Sequence, residues 1–130
     1  MEWPVSVKGI LGWDERYILL RNDRSEWELP GGRLDRGEQP REALARELQE
    51  ELSIEASVGR LVLAEAFEVI PERWVLLVVY SCTADRPPSL THSEEHEAAT
   101  TASIAELVDL PIPEVYVRAI HEARRTSDAS

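Results

Sequence analysis

Three glutamates, Glu47, Glu50 and Glu51, are spaced so that their carboxylates could bind one metal ion together. Residues three and four apart share a face of an α-helix, so these side chains would fall within an arc of about 100°. Such like-charge pairs destabilise a helix by roughly 0.2–0.5 kcal/mol each. A bound Mg²⁺ or Mn²⁺ prefers oxygen ligands, would offset that repulsion and would leave coordination positions for substrate phosphates. The pattern favours a divalent-metal site, with Arg46 placed to hold Glu50 one turn away.

The segment that carries these glutamates is predicted to be a helix over residues 40–52. Pro40 suits the first turn of a helix, where its missing N–H would have no intrahelical acceptor. Most of the residues that follow are good helix formers. A buried stripe is predicted beside the glutamates, and it consists of Leu44, Leu48 and Leu52. The spacing alone also fits an acidic helix face that is only solvated, so it does not decide between the two interpretations.

The order of the other elements predicts an α/β fold with a mixed central sheet. These elements are a hairpin over residues 3–20, strands at 61–69 and 74–82, a loop at 85–97 and a helix at 113–125. The second strand is nearly all apolar, which indicates cover on both of its faces. The length of 130 residues predicts a single domain over residues 1–130.

The composition narrows the classes of partner and location. A formal net charge of −11 opposes binding to a nucleic-acid polymer. The longest strongly apolar run, residues 74–80, is far shorter than the roughly 20 residues of a membrane-spanning helix, so no membrane partner is expected. The first residues lack the pattern of a secretory signal, and we expect a cytoplasmic protein. The one cysteine, Cys82, lies in an apolar run and is predicted to be a small core residue.

Residues 32–54 resemble the Nudix box of the Nudix hydrolases. Eight fixed positions agree over these 23 residues, namely Gly32, Glu38, Arg46, Glu47, Leu48, Glu50, Glu51 and Ile54. Leu29-Pro30-Gly31-Gly32 supplies the lead-in that is usual for the family. The chain departs from the box at Ser53, where glycine is usual. If that position is a left-handed helix cap, serine costs roughly 1 kcal/mol there.

The resemblance implies an α/β/α sandwich and a Nudix pyrophosphohydrolase. Its reaction would be attack of water on a phosphoanhydride bond in a nucleoside diphosphate linked to another group. Glu47, Glu50, Glu51 and the Gly31 carbonyl would match the ligands of Mg²⁺ or Mn²⁺, and Arg46 would be part of the catalytic set. A glutamate outside the box often serves as general base in the family. Glu95 matches this role best, and Glu94 and Glu97 remain alternatives.

The residues that bind the substrate, a small-molecule nucleotide, are less well defined by the sequence. The candidates are Trp27 and Phe67 for stacking on a base, and Arg21 and Arg33 for phosphates. Further candidates of the same kinds are Trp74, Tyr80 and Arg73. Aromatic residues in strands are more often part of the core, and surface arginines often bind nothing specific. The oligomeric state is left open, with a homodimer as one alternative.

Two other functions compete with the hydrolase. A non-catalytic nucleotide-binding or regulatory module could retain the Nudix fold. This alternative is motivated by Ser53 and by Thr101, where relatives often carry tryptophan. An acidic scaffold is the third interpretation, and it predicts that Mg²⁺ does not stabilise the protein against heat.

Overall fold

A mixed seven-stranded sheet lies between two α-helices in the computed structural model of the protein, which describes residues 3–88 and 98–128. The strands are β1 (Val5–Trp13), β2 (Arg16–Arg21), β3 (Trp27–Glu28), β4 (Gly31–Arg33), β5 (Ser57–Ile70), β6 (Arg73–Thr83) and β7 (Ala98–Ala102). The helices are α1 (Pro40–Leu52) and α2 (Glu114–Asp128), and a 3₁₀-helix covers Ala105–Asp109. The predicted α/β class with a mixed sheet is confirmed.

The sheet has the strand order β3-β2-β1-β6-β5, with β4 paired to β1 and β7 paired to β2. The β1–β6 pair is parallel, and the other pairs are antiparallel. The predicted N-terminal hairpin is present as β1 and β2. Its turn residues Asp14 and Glu15 both have positive φ, of 53° and 59°. Such a turn matches the twist of the strands that it connects.

The two helices cover opposite faces of the sheet. On one face, the leucines of α1 pack with Val78 and Tyr80 of β6. On the other face, α2 packs with Leu77 and Val79. Alternate β6 residues therefore enter two separate cores, as the apolar sequence of this strand predicted. In the described ranges, both helices are too short or too polar to form a transmembrane span.

Several elements differ from the sequence-based prediction. β4 was not predicted, and it forms because its backbone pairs with β1, with Gly31 opposite Lys8. β5 begins at Ser57, four residues earlier than predicted, and α2 continues to Asp128. β7 was not predicted. Residues 85–88 form neither helix nor strand, as expected for the predicted loop at 85–97. The rest of that loop, residues 89–97, lies outside the described residues.

Cys82 is buried in the core on the α1 face, as predicted. Burial raises the pKa of its thiol to about 12. The side chain is therefore a neutral thiol at physiological pH and packs as a small apolar group.

Helix α1 is capped at both ends. At the N-terminus, Gln39 and Glu42 form a capping box. At the C-terminus, Ser53 adopts the left-handed conformation, with φ 52° and ψ 41°, and its N–H donates to the Gln49 carbonyl. The left-handed cap considered from the sequence is thus present, with serine at a position that favours glycine.

Replacing Ser53 should stabilise the protein only if the new residue lacks a Cβ. We expect Ser53→Gly to raise the free energy of unfolding by about 0.5–1 kcal/mol, because glycine relieves the left-handed strain and loses some of this gain to its larger chain entropy. Ser53→Ala keeps the Cβ and should give no such gain. Urea unfolding of both variants measures the difference, and an equal effect of the two would contradict this account.

Candidate active site

The Gly31-Gly32 pair holds Glu47 and Glu51 of α1 against β4. The Gly31 N–H donates a hydrogen bond of 2.9 Å to Glu51 Oε1. Gly31 has a φ of +145°, and a Cβ there would clash with the Val7 carbonyl oxygen. A Cβ on Gly32 would lie 2.5 Å from the Glu47 carboxylate. Glycine at both positions therefore lets β4 and the two glutamates approach closely.

Glu47, Glu50 and Glu51, which we call the box glutamates, differ in solvent exposure. Glu51 is only 5% exposed, and the Glu47 side chain is 12% exposed. The Glu50 side chain is 57% exposed and lies on the solvent side. The difference follows from the helix, because Glu51 lies beside the buried stripe of leucines and Glu50 is rotated away from it.

Arg46 connects the box glutamates to the loop before α1. Its guanidinium donates to Glu38 Oε2 at 2.8 Å, to Glu47 Oε1 at 3.0 Å and to Glu50 Oε2 at 3.3 Å. The hydrogen bond from Arg46 lowers the pKa of Glu38, and the same bond is the main cause that raises the pKa of Arg46. The predicted contact between Arg46 and Glu50 is present, and Arg46 also bonds Glu38 and Glu47.

A buried polar group that the sequence analysis missed lies beneath these glutamates. Lys8 Nζ is 3.7 Å from Glu28 Oε1, and the two side chains are 7% and 13% exposed. The Asn22 side-chain amide donates to the other Glu28 oxygen at 3.2 Å. The sequence does contain a signal for this pair. Lys8 is a charged residue among the apolar residues of β1, and a buried lysine requires a partner.

Lys8 places a positive charge near the box glutamates. Burial acts to lower the pKa of Lys8, but interaction with the Tyr116 oxygen and with Glu28 raises it above its usual value. Glu51 and Glu47 act in the same direction more weakly. Lys8 is therefore an ammonium ion at neutral pH, and it partly balances the carboxylates above it.

These residues surround an open cleft of about 390 Å³. Lys8 and Glu28 line it together with Gly31, Gly32 and Glu47. The predicted phosphate ligand Arg33 also lines this cleft, beside Arg24. A ligand in the cleft would therefore meet Glu47, the glycine pair and two arginines.

Other predicted residues lie elsewhere. Trp27 and Phe67 pack against the core on the α2 face, and the Phe67 ring is 5.9 Å from the Tyr116 ring. Arg21 pairs with Trp27 between β2 and β3. None of these three is among the residues that line the cleft. Three glutamates predicted as alternative general bases lie outside the described residues, namely Glu94, Glu95 and Glu97.

The predicted convergence of three carboxylates is only partial. Among residues 3–88 and 98–128, no three His, Cys, Asp or Glu side chains are close enough together to hold a metal ion. Glu47 and Glu51 both lie against β4, whereas Glu50 is turned outward and Arg46 bonds both Glu47 and Glu50. The oxygen-rich donor set is nevertheless the type that hard divalent cations prefer. The assignment of metal ligands therefore stays a prediction.

Comparison with known proteins identifies the family. The model of the NUDIX domain matches residues 5–122 of the chain. The chain belongs to the Nudix family. A CTP pyrophosphohydrolase from Escherichia coli strain K12 is 33% identical over 111 residues, which cover 82% of this chain and 80% of that protein.

Solved structures of other proteins share the fold. The solution structure of the E. coli ORF135 protein is 27% identical, with a TM-score of 0.73, and the match covers 99% of this chain and 94% of that one. A Nudix hydrolase from Nitrosomonas europaea has a TM-score of 0.82 at 19% identity, covering 96% and 90% of the two chains. The predicted Nudix sandwich is confirmed, as is the predicted class of Nudix pyrophosphohydrolase. Nudix hydrolases act on nucleotide-linked substrates and generally use divalent metal ions.

The largely buried Lys8–Glu28 pair of this Nudix domain should contribute to stability as a unit. We expect Lys8→Met to lower the free energy of unfolding by about 3 kcal/mol, because the largely buried Glu28 carboxylate would lose the ammonium group of Lys8. Combining Lys8→Met with Glu28→Gln should recover part of this loss. Urea unfolding of the two single variants and the double variant measures the coupling, and strictly additive losses would refute it.

Gly32 should matter more for activity than for stability. We expect Gly32→Ala to reduce nucleotide hydrolysis at least about tenfold, because the new Cβ would displace the Glu47 carboxylate. Gly37→Ala is the control for strain without a clash: a Cβ there meets nothing within 4 Å, but the φ of +84° makes alanine unfavourable, so this variant should lower the melting temperature and leave the rate nearly unchanged. Steady-state rates and melting temperatures of both variants test this expectation. Equal rates for the two would show that the position of Glu47 does not depend on Gly32.

Proposed function

We propose that the protein hydrolyses a phosphoanhydride bond in a nucleoside diphosphate linked to another group, and that it needs a divalent metal ion to do so. The observation that carries the proposal is the arrangement of Glu47 and Glu51 against the Gly31-Gly32 pair. A hydrogen bond of 2.9 Å fixes Glu51 there, beside a cleft of about 390 Å³ that two arginines line. This arrangement would give a polyphosphate both a metal site and cationic side chains.

The proposed metal ligands are Glu47, Glu50, Glu51 and the Gly31 carbonyl, with Mg²⁺ or Mn²⁺ as the metal. Such an ion lowers the pKa of a bound water and polarises a phosphoryl group. Glu50 is mostly exposed, so on metal binding it would give up its 3.3 Å contact with Arg46 and turn toward Glu47 and Glu51. Arg46 would then keep Glu47 and the preceding loop in place through its bonds to Glu47 and Glu38.

The chemical step is a displacement at phosphorus. The water oxygen forms a bond to phosphorus, and the bond from phosphorus to the bridging oxygen breaks, with its electron pair leaving on the departing phosphate. We propose Glu95 as the general base that takes the proton of the water, with Glu94 and Glu97 as alternatives. Each is next to or near the others in sequence, so single replacements are needed to distinguish them.

We propose small-molecule nucleotides as the substrates, with CTP the first to test, because a relative that aligns over most of its length is a CTP pyrophosphohydrolase. Of the predicted substrate-binding residues, Arg33 is supported best, since it lines the cleft. Trp27, Arg21 and Phe67 have less support, because they lie outside that lining. A cytoplasmic location and a homodimer stay predictions.

Replacing Glu51 tests the proposed function. We expect Glu51→Gln to reduce kcat with Mg²⁺ or Mn²⁺ by about 100-fold or more, since glutamine still accepts the Gly31 hydrogen bond but loses the charge that a cation requires. Glu55→Gln is the matched control, because Glu55 is exposed and follows α1. Phosphate or pyrophosphate release from CTP, with circular dichroism to verify folding, provides the measurement. Retained turnover in Glu51→Gln would overturn the proposal.

The same assay distinguishes the alternatives. A non-catalytic module would bind the nucleotide and the metal but release no product. Ser53, one motive for that alternative, keeps the left-handed cap in the structure, so it does not distort the end of α1. Thr101, the other motive, accepts two hydrogen bonds from Arg16 at the edge strand β7. An acidic scaffold would show no rise in melting temperature with Mg²⁺.

A further inference from the structure

A second cavity, which we name the tryptophan pocket, continues from the cleft. It has a volume of about 400 Å³, and Arg24 and Arg33 line both cavities. Arg73 and Trp74, at the start of β6, line only the tryptophan pocket. Arg33 ends β4, the strand that begins at Gly31. Because a strand advances about 3.3 Å per residue, a short stretch of polyphosphate would reach from one cavity to the other.

The tryptophan pocket exists because the end of the β5–β6 hairpin is not covered by α1. On the same face of β6, Val78 and Tyr80 are 8% exposed under the helix, whereas Leu76 is 37% and Trp74 is 46% exposed. Trp3, which is 47% exposed, lies beside Trp74 with a ring separation of 6.5 Å. Neighbouring exposed aromatic side chains of this kind often mark a binding site.

The charge of the tryptophan pocket contrasts with that of the whole chain. The net charge is −11, yet three arginines and only one acidic residue, Glu72, are among the residues that line this cavity. Among the described residues, the ion pairs of Arg24 are long, at 3.4 Å to Asp23 and 3.5 Å to Glu26. The side chains of Arg33 and Arg73 make no hydrogen bond or ion pair within residues 3–88 and 98–128. Guanidinium groups beside an exposed indole suit a ligand that combines phosphate with a planar ring.

We propose that the tryptophan pocket binds the second nucleoside of a dinucleoside polyphosphate. This inference rests on the proposed function and specifies its substrate class. The first nucleotide would occupy the cleft beside Glu47, and the polyphosphate would pass along Arg24 and Arg33. The distal base would stack on Trp74, with Arg73 at its phosphate. A nucleoside triphosphate has no second base and would leave the tryptophan pocket unused.

The test compares two substrates that share one base, CTP and dicytidine tetraphosphate, with Mg²⁺. We expect Trp74→Ala and Arg73→Ala to lower kcat/KM for dicytidine tetraphosphate at least about tenfold relative to kcat/KM for CTP, mainly through KM, since stacking of one base is worth about that factor. The matched control is Leu61→Ala. Leu61 is 48% exposed on β5 and lies outside the tryptophan pocket, so the ratio should stay within about twofold.

Four results would overturn the inference. An unchanged ratio in both pocket variants would show that the tryptophan pocket does not select the substrate. Hydrolysis of CTP alone by the unmodified protein would refute the inference and leave the proposed function intact. Hydrolysis of neither substrate would refute both. If Trp74→Ala instead changes the oligomeric state in size-exclusion chromatography and leaves the ratio unchanged, the exposed tryptophans form a contact between copies of the chain.

Discussion

The hydrogen bond from the Gly31 N–H to Glu51 is the contact on which the site depends. It joins a strand of the sheet to the helix that carries the box, and it holds a carboxyl group in a nearly buried position. Burying such a group is unfavourable unless hydrogen bonds or opposite charges compensate it. The leucine stripe of α1 fixes the rotation of the helix, and the glycine pair allows the close approach. The leucine stripe and the glycine pair together fix the position of Glu51, so this position depends on the packing of the core.

Two cations balance the acidic site from opposite sides. Arg46 contacts Glu47, Glu50 and Glu38 from the solvent side, and Lys8 supports Glu28 and the box glutamates from beneath. A site built only from carboxylates would repel both its own members and the phosphates of a nucleotide. The arrangement thus supplies positive charge before any substrate arrives, within a protein whose net charge is strongly negative.

Features set by local patterns were predictable from the sequence, and features set by long-range pairing were not. The helix α1 and the first hairpin follow from residue spacing and turn chemistry, and both are confirmed. The short strands β4 and β7 were missed, because each consists of residues that form a strand only beside a partner far along the chain. Spacing placed the three glutamates on one face of α1. It also predicted the contact between Arg46 and Glu50, but not that Arg46 bonds Glu38 and Glu47 as well, or that Lys8 and Glu28 lie below.

The parallel pairing of β1 with β6 has a consequence for how the protein is made. Val5 pairs with Leu76, about 70 residues later, and the ladder continues to Leu11 and Cys82. Closing so long a loop costs chain entropy before the ladder can form, which slows folding. On the ribosome, the first strand would have no parallel partner until more than half of the chain has emerged. The central ladder of the sheet is thus assembled late, after the box helix has already been synthesised.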